Sequence, residues 1–173
     1  LHAFVFMGNH FHLILTDTRR QLPKFMEQLD AMLARVINKH LGRQGRLWES
    51  KPYTSWILET REELLQHLVY LAANPVEAWV VRTPDRWPGV VSLPSHVNMS
   101  LKVKVPRSGL FGRGREGSAL PPESVLKVHV PPYFAKGGAE RYRRLFQTAL
   151  DAYLADLHAR PGTYSGRESA KTL

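Results

Sequence analysis

The sequence predicts an α+β fold, an antiparallel sheet flanked by helices, and three observations carry that prediction. Residues 2–7 and 10–15 are apolar runs rich in aromatic and branched side chains, and Gly8-Asn9 between them reads as the two-residue turn of a hairpin. From 23 to 40, Phe25, Leu29, Met32, Leu33, Val36 and Ile37 recur at helical spacing and make one apolar stripe. Thr60-Arg61-Glu62-Glu63 has the form of a capping box, so a second helix starts there.

Each element follows from local chemistry. Both hairpin strands are apolar on both faces apart from their histidines, which places them centrally in a covered sheet. Thr16 to Gln21 is a polar connection, Pro23 suits the first turn of a helix, and Gly42 stops that helix after His40. A basic, glycine-broken loop, residues 42–51, leads to a short strand expected from Tyr53 to Leu58. The second helix is expected to end at Asn74, because Pro75 disfavours continuation. At one hundred degrees per residue, Leu64, Leu65, Leu68, Leu71 and Ala72 fall on one side of it. Glu63, Gln66, His67, Tyr70 and Asn74 fall on the other. Residues 93–124, with the basic alternating run Leu101-Lys102-Val103-Lys104-Val105 and a Gly/Arg-rich stretch, read as a linker or arm. A strand near Val125 to Val130 and a helix from Ala139 to Ala159 close the chain.

The chain has 173 residues, 43% of them hydrophobic, enough for one compact domain with appendages. Lys and Arg number 24 against 15 Asp and Glu, a formal charge of +9, which suits a polyanionic partner such as nucleic acid. The absence of cysteine excludes a disulfide scaffold and thiolate zinc sites. No apolar run reaches bilayer length and no secretory leader is recognisable, so no membrane partner is expected and the cytoplasm of a prokaryote-like cell fits. The opening at Leu1, directly in a strand, suggests that an amino-terminal portion precedes it.

The chemistry concentrates in the stretch Met7-Gly8-Asn9-His10-Phe11-His12-Leu13-Ile14-Leu15. Alternate strand residues share a face, so His10 and His12 emerge together and two neutral imidazoles at that spacing can hold one divalent cation. The plainer alternative is a packed, hydrogen-bonded pair without a ligand. A third ligand would come from the second helix: Asn74 through its amide oxygen, with Gln66 and His67 in reserve. Such a site leaves positions open for a phosphate oxygen. Tyr70, one turn from Asn74, then becomes a candidate nucleophile toward phosphorus.

Three blocks occur in order: the histidine strand motif, the loop Gly42-Arg43-Gln44-Gly45-Arg46-Leu47-Trp48-Glu49, and the helix end Tyr70-Leu71-Ala72-Ala73-Asn74-Pro75-Val76. On these blocks the chain resembles the single-tyrosine HUH transposases, most closely the REP-associated tyrosine transposases and their insertion-sequence relatives. The resemblance spans residues 1–92. It implies an HUH transposase-like catalytic domain there with a ferredoxin-like core, lacking the strand and helix that precede the histidine hairpin in the family. It also implies Mg²⁺ or Mn²⁺ on His10 and His12 with Asn74 as third ligand. Tyr70 is then the residue that cleaves single-stranded or hairpin DNA, joins the 5′ phosphate and frees a 3′ hydroxyl. Two departures stand out. Glu49-Ser50-Lys51 replaces the Gln-Gly-Arg often found after the loop tryptophan, and Glu77-Ala78-Trp79 replaces the favoured Arg-Ala-Gly after Asn-Pro-Val.

Arg43, Arg46 and Lys51, with Trp48 among them, suit phosphate contacts and base stacking on single strands, although Trp48 equally suits a loop anchor. Arg19, Arg20 and Lys24 either extend a basic path or are plain surface charge. Arg107, Arg113 and Arg115 suit an arm that orders on nucleic acid, and residues 125–173 form an extension to which the sequence assigns no role. The leading expectation is a metal-dependent endonuclease and strand transferase with a tyrosine nucleophile. Its rivals are a domesticated protein that binds structured DNA without cutting it, and a phosphodiesterase that uses water.

Overall fold

The computed structural model describes residues 1–49, 53–104 and 123–160. Among these the fold is α+β, with three α-helices and two small two-stranded antiparallel sheets. Their order is β1 (Ala3–Phe6), β2 (Phe11–Ile14), α1 (Leu22–His40), α2 (Arg61–Glu77), β3 (Ser100–Lys104), β4 (Glu123–Lys127) and α3 (Gly138–Ala159). Contacts group the chain into two compact units. The first draws on Leu1–Thr16, Leu58–Leu101 and Leu126–Leu173, the second on Asp17–Ile57 and Lys102–Val125.

In the first unit β1 and β2 pair antiparallel, with Phe4 opposite Leu13 and Val5 opposite His12. The hairpin closes through the Met7 amide donating to the His10 carbonyl at 2.8 Å. Neither Gly8 nor Asn9 takes a positive φ, so the turn is not one of the primed types that the Gly-Asn pair suggests. The other edge of β1 is occupied by residues 90–92: Phe6 N donates to Val90 O and Ser92 N to Phe4 O, both at 2.8 Å. The Ser92 hydroxyl also accepts from Phe4 N at 2.8 Å. Thus β1 is central and buried as expected. β2 is half-buried along its whole length rather than central.

α2 packs on β1, and α3 packs on α2. Ala3, Phe4 and Val5 meet Leu64, Leu68, Val69, Leu71, Ala72 and Ala73 in one core, joined by Phe134, Tyr142, Phe146 and Leu150. The carboxy-terminal elements therefore complete the core rather than hang from it. Val97 and Val128, both 1% exposed, form a parallel bridge inside this core.

Helix ends follow their caps. Thr60 and Glu63 form the expected reciprocal box at the start of α2, and the backbone N–H groups of Glu59 and Thr60 hold the Glu63 carboxyl below its ordinary range. In the second unit, Asp17 accepts from the Gln21 and Leu22 amides at 3.0 and 2.9 Å, and so starts α1. Gly42, at φ +60, ends α1 with Arg43 N donating to Asn38 O at 2.8 Å and Gly42 N to Lys39 O, the paired bonds of a Schellman motif.

Three sequence expectations need correction. α2 does not stop at Asn74: it continues through Pro75 to Glu77, because Pro75 and Val76 are buried and proline's fixed φ is itself helical. No strand forms among residues 53–58. Trp56 and Ile57, 72% and 87% exposed, have no partner strand among the described residues, and β-propensity without a partner does not make a strand. Residues 100–104, read as part of a linker, pair with β4 as β3. Residues 105–122, which include Arg107, Arg113 and Arg115, lie outside the described residues. No described helix is long and apolar enough to cross a membrane.

Two consequences can be measured. A Cβ at Gly89 would overlap the Trp87 indole nitrogen, which donates to Phe6 O at 3.0 Å. Gly89→Ala should therefore lower stability by about 1–3 kcal/mol in chemical denaturation. His2 is buried between His129 O at 2.9 Å and Thr16 Oγ1 at 2.8 Å, and burial holds its pKa below the ordinary 6.5. The unfolded chain then takes up this proton at higher pH than the folded one. Stability should be whole above about pH 6.5, fall as the pH drops from there toward the lowered folded value, and level off below it. His2→Asn should flatten that part of the profile.

Candidate metal and nucleophile site

The first unit brings three of the singled-out side chains together. β2 starts immediately after His10 and carries His12, and the two imidazoles stand edge to face with ring centres 5.0 Å apart. Strand alternation accounts for the pairing. The Tyr70 ring meets His12 edge-on at 5.9 Å, although 58 positions separate them. Among the described residues, Tyr70 is the tyrosine whose ring meets a histidine. Its ring is not packed among the leucines; it is 41% exposed.

Of the other described tyrosines, Tyr53 is exposed like Tyr70 but belongs to the second unit, and three are engaged or buried. Tyr142 is in the core, where burial pushes its phenol far above the ordinary range. Tyr133 Oη donates to Glu59 O at 2.6 Å, and Tyr153 Oη donates to Glu77 Oε1 at 3.1 Å.

The electrostatics favour a neutral imidazole at His12. Partial burial lowers the His12 pKa, and the positive charge that His10 can carry beside it lowers it further. His10 is exposed, and its Nδ1 lies 2.7 Å from Asn9 Oδ1. Two neutral ring nitrogens on one edge are a suitable half of a donor set for a borderline divalent cation. Among the described residues, no third His, Cys, Asp or Glu gathers with them.

Of the three third-ligand candidates, none is joined to the pair by a hydrogen bond among the described residues. Asn74 is not on the exposed side of α2 as expected. It is 6% exposed, because the second half of α2, Leu71 to Val76, is buried on all sides. Gln66 is exposed. His67 is exposed too, and its Nδ1 donates to Glu63 O at 2.9 Å, one turn back along α2.

The basic loop belongs to the second unit. Arg43 and Arg46 are exposed there. Trp48 is half-buried, and its indole N–H donates to Asp30 O in α1 at 2.8 Å, which fits the anchoring alternative. Lys51 lies outside the described residues.

Sequence reasoning missed two features. Glu77, part of the departure after Asn-Pro-Val, turns inward: one carboxylate oxygen accepts from Tyr153, and the other is buried without a hydrogen-bond partner among the described residues. Burial and the Glu77 carboxylate raise the Tyr153 phenol, with a smaller contribution from Tyr70 nearby. The signal was available, since Tyr70, Asn74 and Glu77 share a helical face at i, i+4 and i+7. The second missed feature is the Asn9–His10 hydrogen bond, which links adjacent residues and leaves no periodic trace.

The chain matches no protein-family model, no curated protein and no solved structure.

The Trp48 geometry makes a prediction. Trp48→Phe keeps an aromatic ring and removes the bond to Asp30 O, so it should lower stability by about 1 kcal/mol in denaturant titration. Affinity for a single-stranded oligonucleotide should stay within about twofold if the indole is an anchor and not a stacking platform.

Proposed function

We propose that this chain is a DNA strand transferase of the single-tyrosine HUH type, which cleaves and rejoins single-stranded or hairpin DNA with Tyr70 as nucleophile. The observation that carries this reading is the convergence of His10, His12 and Tyr70 in one unit, with the phenol exposed. The formal charge of +9 supports a nucleic-acid substrate.

In this reading His10 and His12 would hold Mn²⁺ or Mg²⁺, and Asn74 would be the third ligand. The bound ion would supply Lewis-acid stabilisation to the phosphate. The Tyr70 phenol oxygen forms a bond to phosphorus as the bond from phosphorus to the 3′ oxygen breaks. The phenol proton is released and the departing 3′ oxygen takes one up, so the products are a 5′-phosphotyrosine and a 3′ hydroxyl. Attack by a 3′ hydroxyl on the phosphotyrosine reverses the step and rejoins the strand. The role of His12 toward Tyr70 is positional: its ring edge fixes where the phenol stands. Arg43 and Arg46 contribute phosphate contacts.

The test is a covalent adduct. With Mn²⁺ present, the parent chain should carry the label of a 3′-labelled hairpin oligonucleotide into a denaturing gel, and Tyr70→Phe should reduce that adduct by about a thousandfold or more. Strand cleavage that survives in Tyr70→Phe without a protein-linked product would instead point to water as nucleophile. Binding with no adduct from the parent would point to the non-cleaving DNA binder. A second measurement concerns the loop: Arg43→Ala and Arg46→Ala should each reduce the slope of log affinity against log salt by about 0.7 for single strands.

A further inference from the structure

We infer that Asn9 is the positioning residue of the histidine pair, selecting the one tautomer in which His10 offers Nε2 to a divalent cation. This rests on the metal-site reading above and deepens it.

The chain of reasoning is short. Asn9 Oδ1 lies 2.7 Å from His10 Nδ1. An amide oxygen carries no proton, so the ring nitrogen must be the donor. A neutral imidazole has one N–H, and with the proton on Nδ1 the lone pair is on Nε2, the atom left to face an ion. His10 needs such a constraint more than His12 does. It is exposed and stands just outside the β-ladder, whereas His12 is within the strand and is held by partial burial and by the edges of His10 and Tyr70. An exposed ring otherwise turns about a soft χ2 and exchanges both tautomers.

The turn around Asn9 shows that packing does not explain the side chain. Asn9 is exposed, its backbone takes no positive φ, and a Cβ added at neighbouring Gly8 would meet nothing within 4 Å. Many residues would satisfy that backbone. A side chain that can accept from Nδ1 is a narrower requirement, and metal-bound histidines commonly have such a partner behind them.

The experiment uses the full chain and Mn²⁺ alone, with two readouts. Calorimetry gives Mn²⁺ affinity for the parent, Asn9→Ala, Asn9→Asp and His10→Ala, and circular dichroism confirms that each variant is folded. Nitrogen NMR shifts of the metal-free chain report which His10 nitrogen is protonated. Asn9→Ala should weaken Mn²⁺ binding by roughly tenfold and lose the Nδ1–H preference. Asn9→Asp, which still accepts that proton, should restore both. If the parent binds Mn²⁺ and Asn9→Ala binds it equally well, or if the parent's His10 carries its proton on Nε2, the inference is overturned while the metal site stands. If neither parent nor variants bind Mn²⁺, the metal reading fails and the inference goes with it.

Discussion

The burial of α2 between β1 and α3 is the constraint on which the site depends. Leu64, Leu68, Val69 and Leu71 through Val76 are all in the interior, while Glu63, Gln66, His67 and Tyr70 are outside. Turning the helix by one residue, about one hundred degrees, would bring leucines into water and carry the polar stripe inward. At about 1.5–3 kcal/mol for each large side chain lost from the core, several such exchanges exceed the net stability of an ordinary domain. The helix rotation is therefore fixed, and the Thr60–Glu63 box fixes its start. β1 transmits the same constraint to the histidines, since Val5 sits in the core on one strand and pairs with His12 on the next. Tyr70 and His12 meet because both are held by the same buried layer.

That layer also decides what happens beyond Tyr70. The exposed stripe ends there, so Asn74 and Glu77, which continue it geometrically, enter the region where α2 meets its neighbours. Glu77 is held by Tyr153 of α3. Trp79 follows in the left-handed region at φ +57, with its amide donating to Val76 O at 2.9 Å and Val80 N donating to Pro75 O at 3.2 Å. This is a helix stop of the type glycine usually makes, occupied by a residue that gains no backbone freedom from it. The resemblance expects glycine at that position, and in this chain Trp79 occupies the backbone region that glycine favours.

What could be read from the sequence was what local chemistry dictates. The hairpin, the start of α2 and its leucine face, the end of α1 at Gly42 and the span of α3 each rest on neighbours within a turn or two. The pairing of His10 with His12 needed only strand alternation, and the placement of Tyr70 opposite the leucines needed only helical projection. Apart from the turn type at Gly8-Asn9 and the Asn9–His10 hydrogen bond, which are local, the failures involve distant partners. Pro75 stays helical because a core encloses it, the run at 53–58 is not a strand because nothing among the described residues pairs with it, and Leu101 and Val103 become a strand because β4 pairs with them. Asn74 was placed on the exposed face by helical angle, and angle does not say what lies beyond a helix. The fold class was thus readable, but the way the carboxy-terminal residues complete the first core was not, because Val97 and Val128 announce nothing until they meet.

The composition of the site bears on what it can take. Two neutral imidazoles contribute no charge, and no carboxylate gathers with them among the described residues. A divalent ion held this way would keep its full positive charge for whatever fills the open positions. That favours an anionic oxygen ligand, and a phosphodiester is one. The nitrogen donors matter in a second way. Mg²⁺ prefers an all-oxygen shell and gives up water reluctantly, whereas Mn²⁺ accepts imidazole more readily. The same absence of acid that makes the site hospitable to phosphate makes it a weak trap for metal in the resting protein. On the proposed reading, the ion and the nucleic acid would bind with positive cooperativity, each supplying the charge the other lacks.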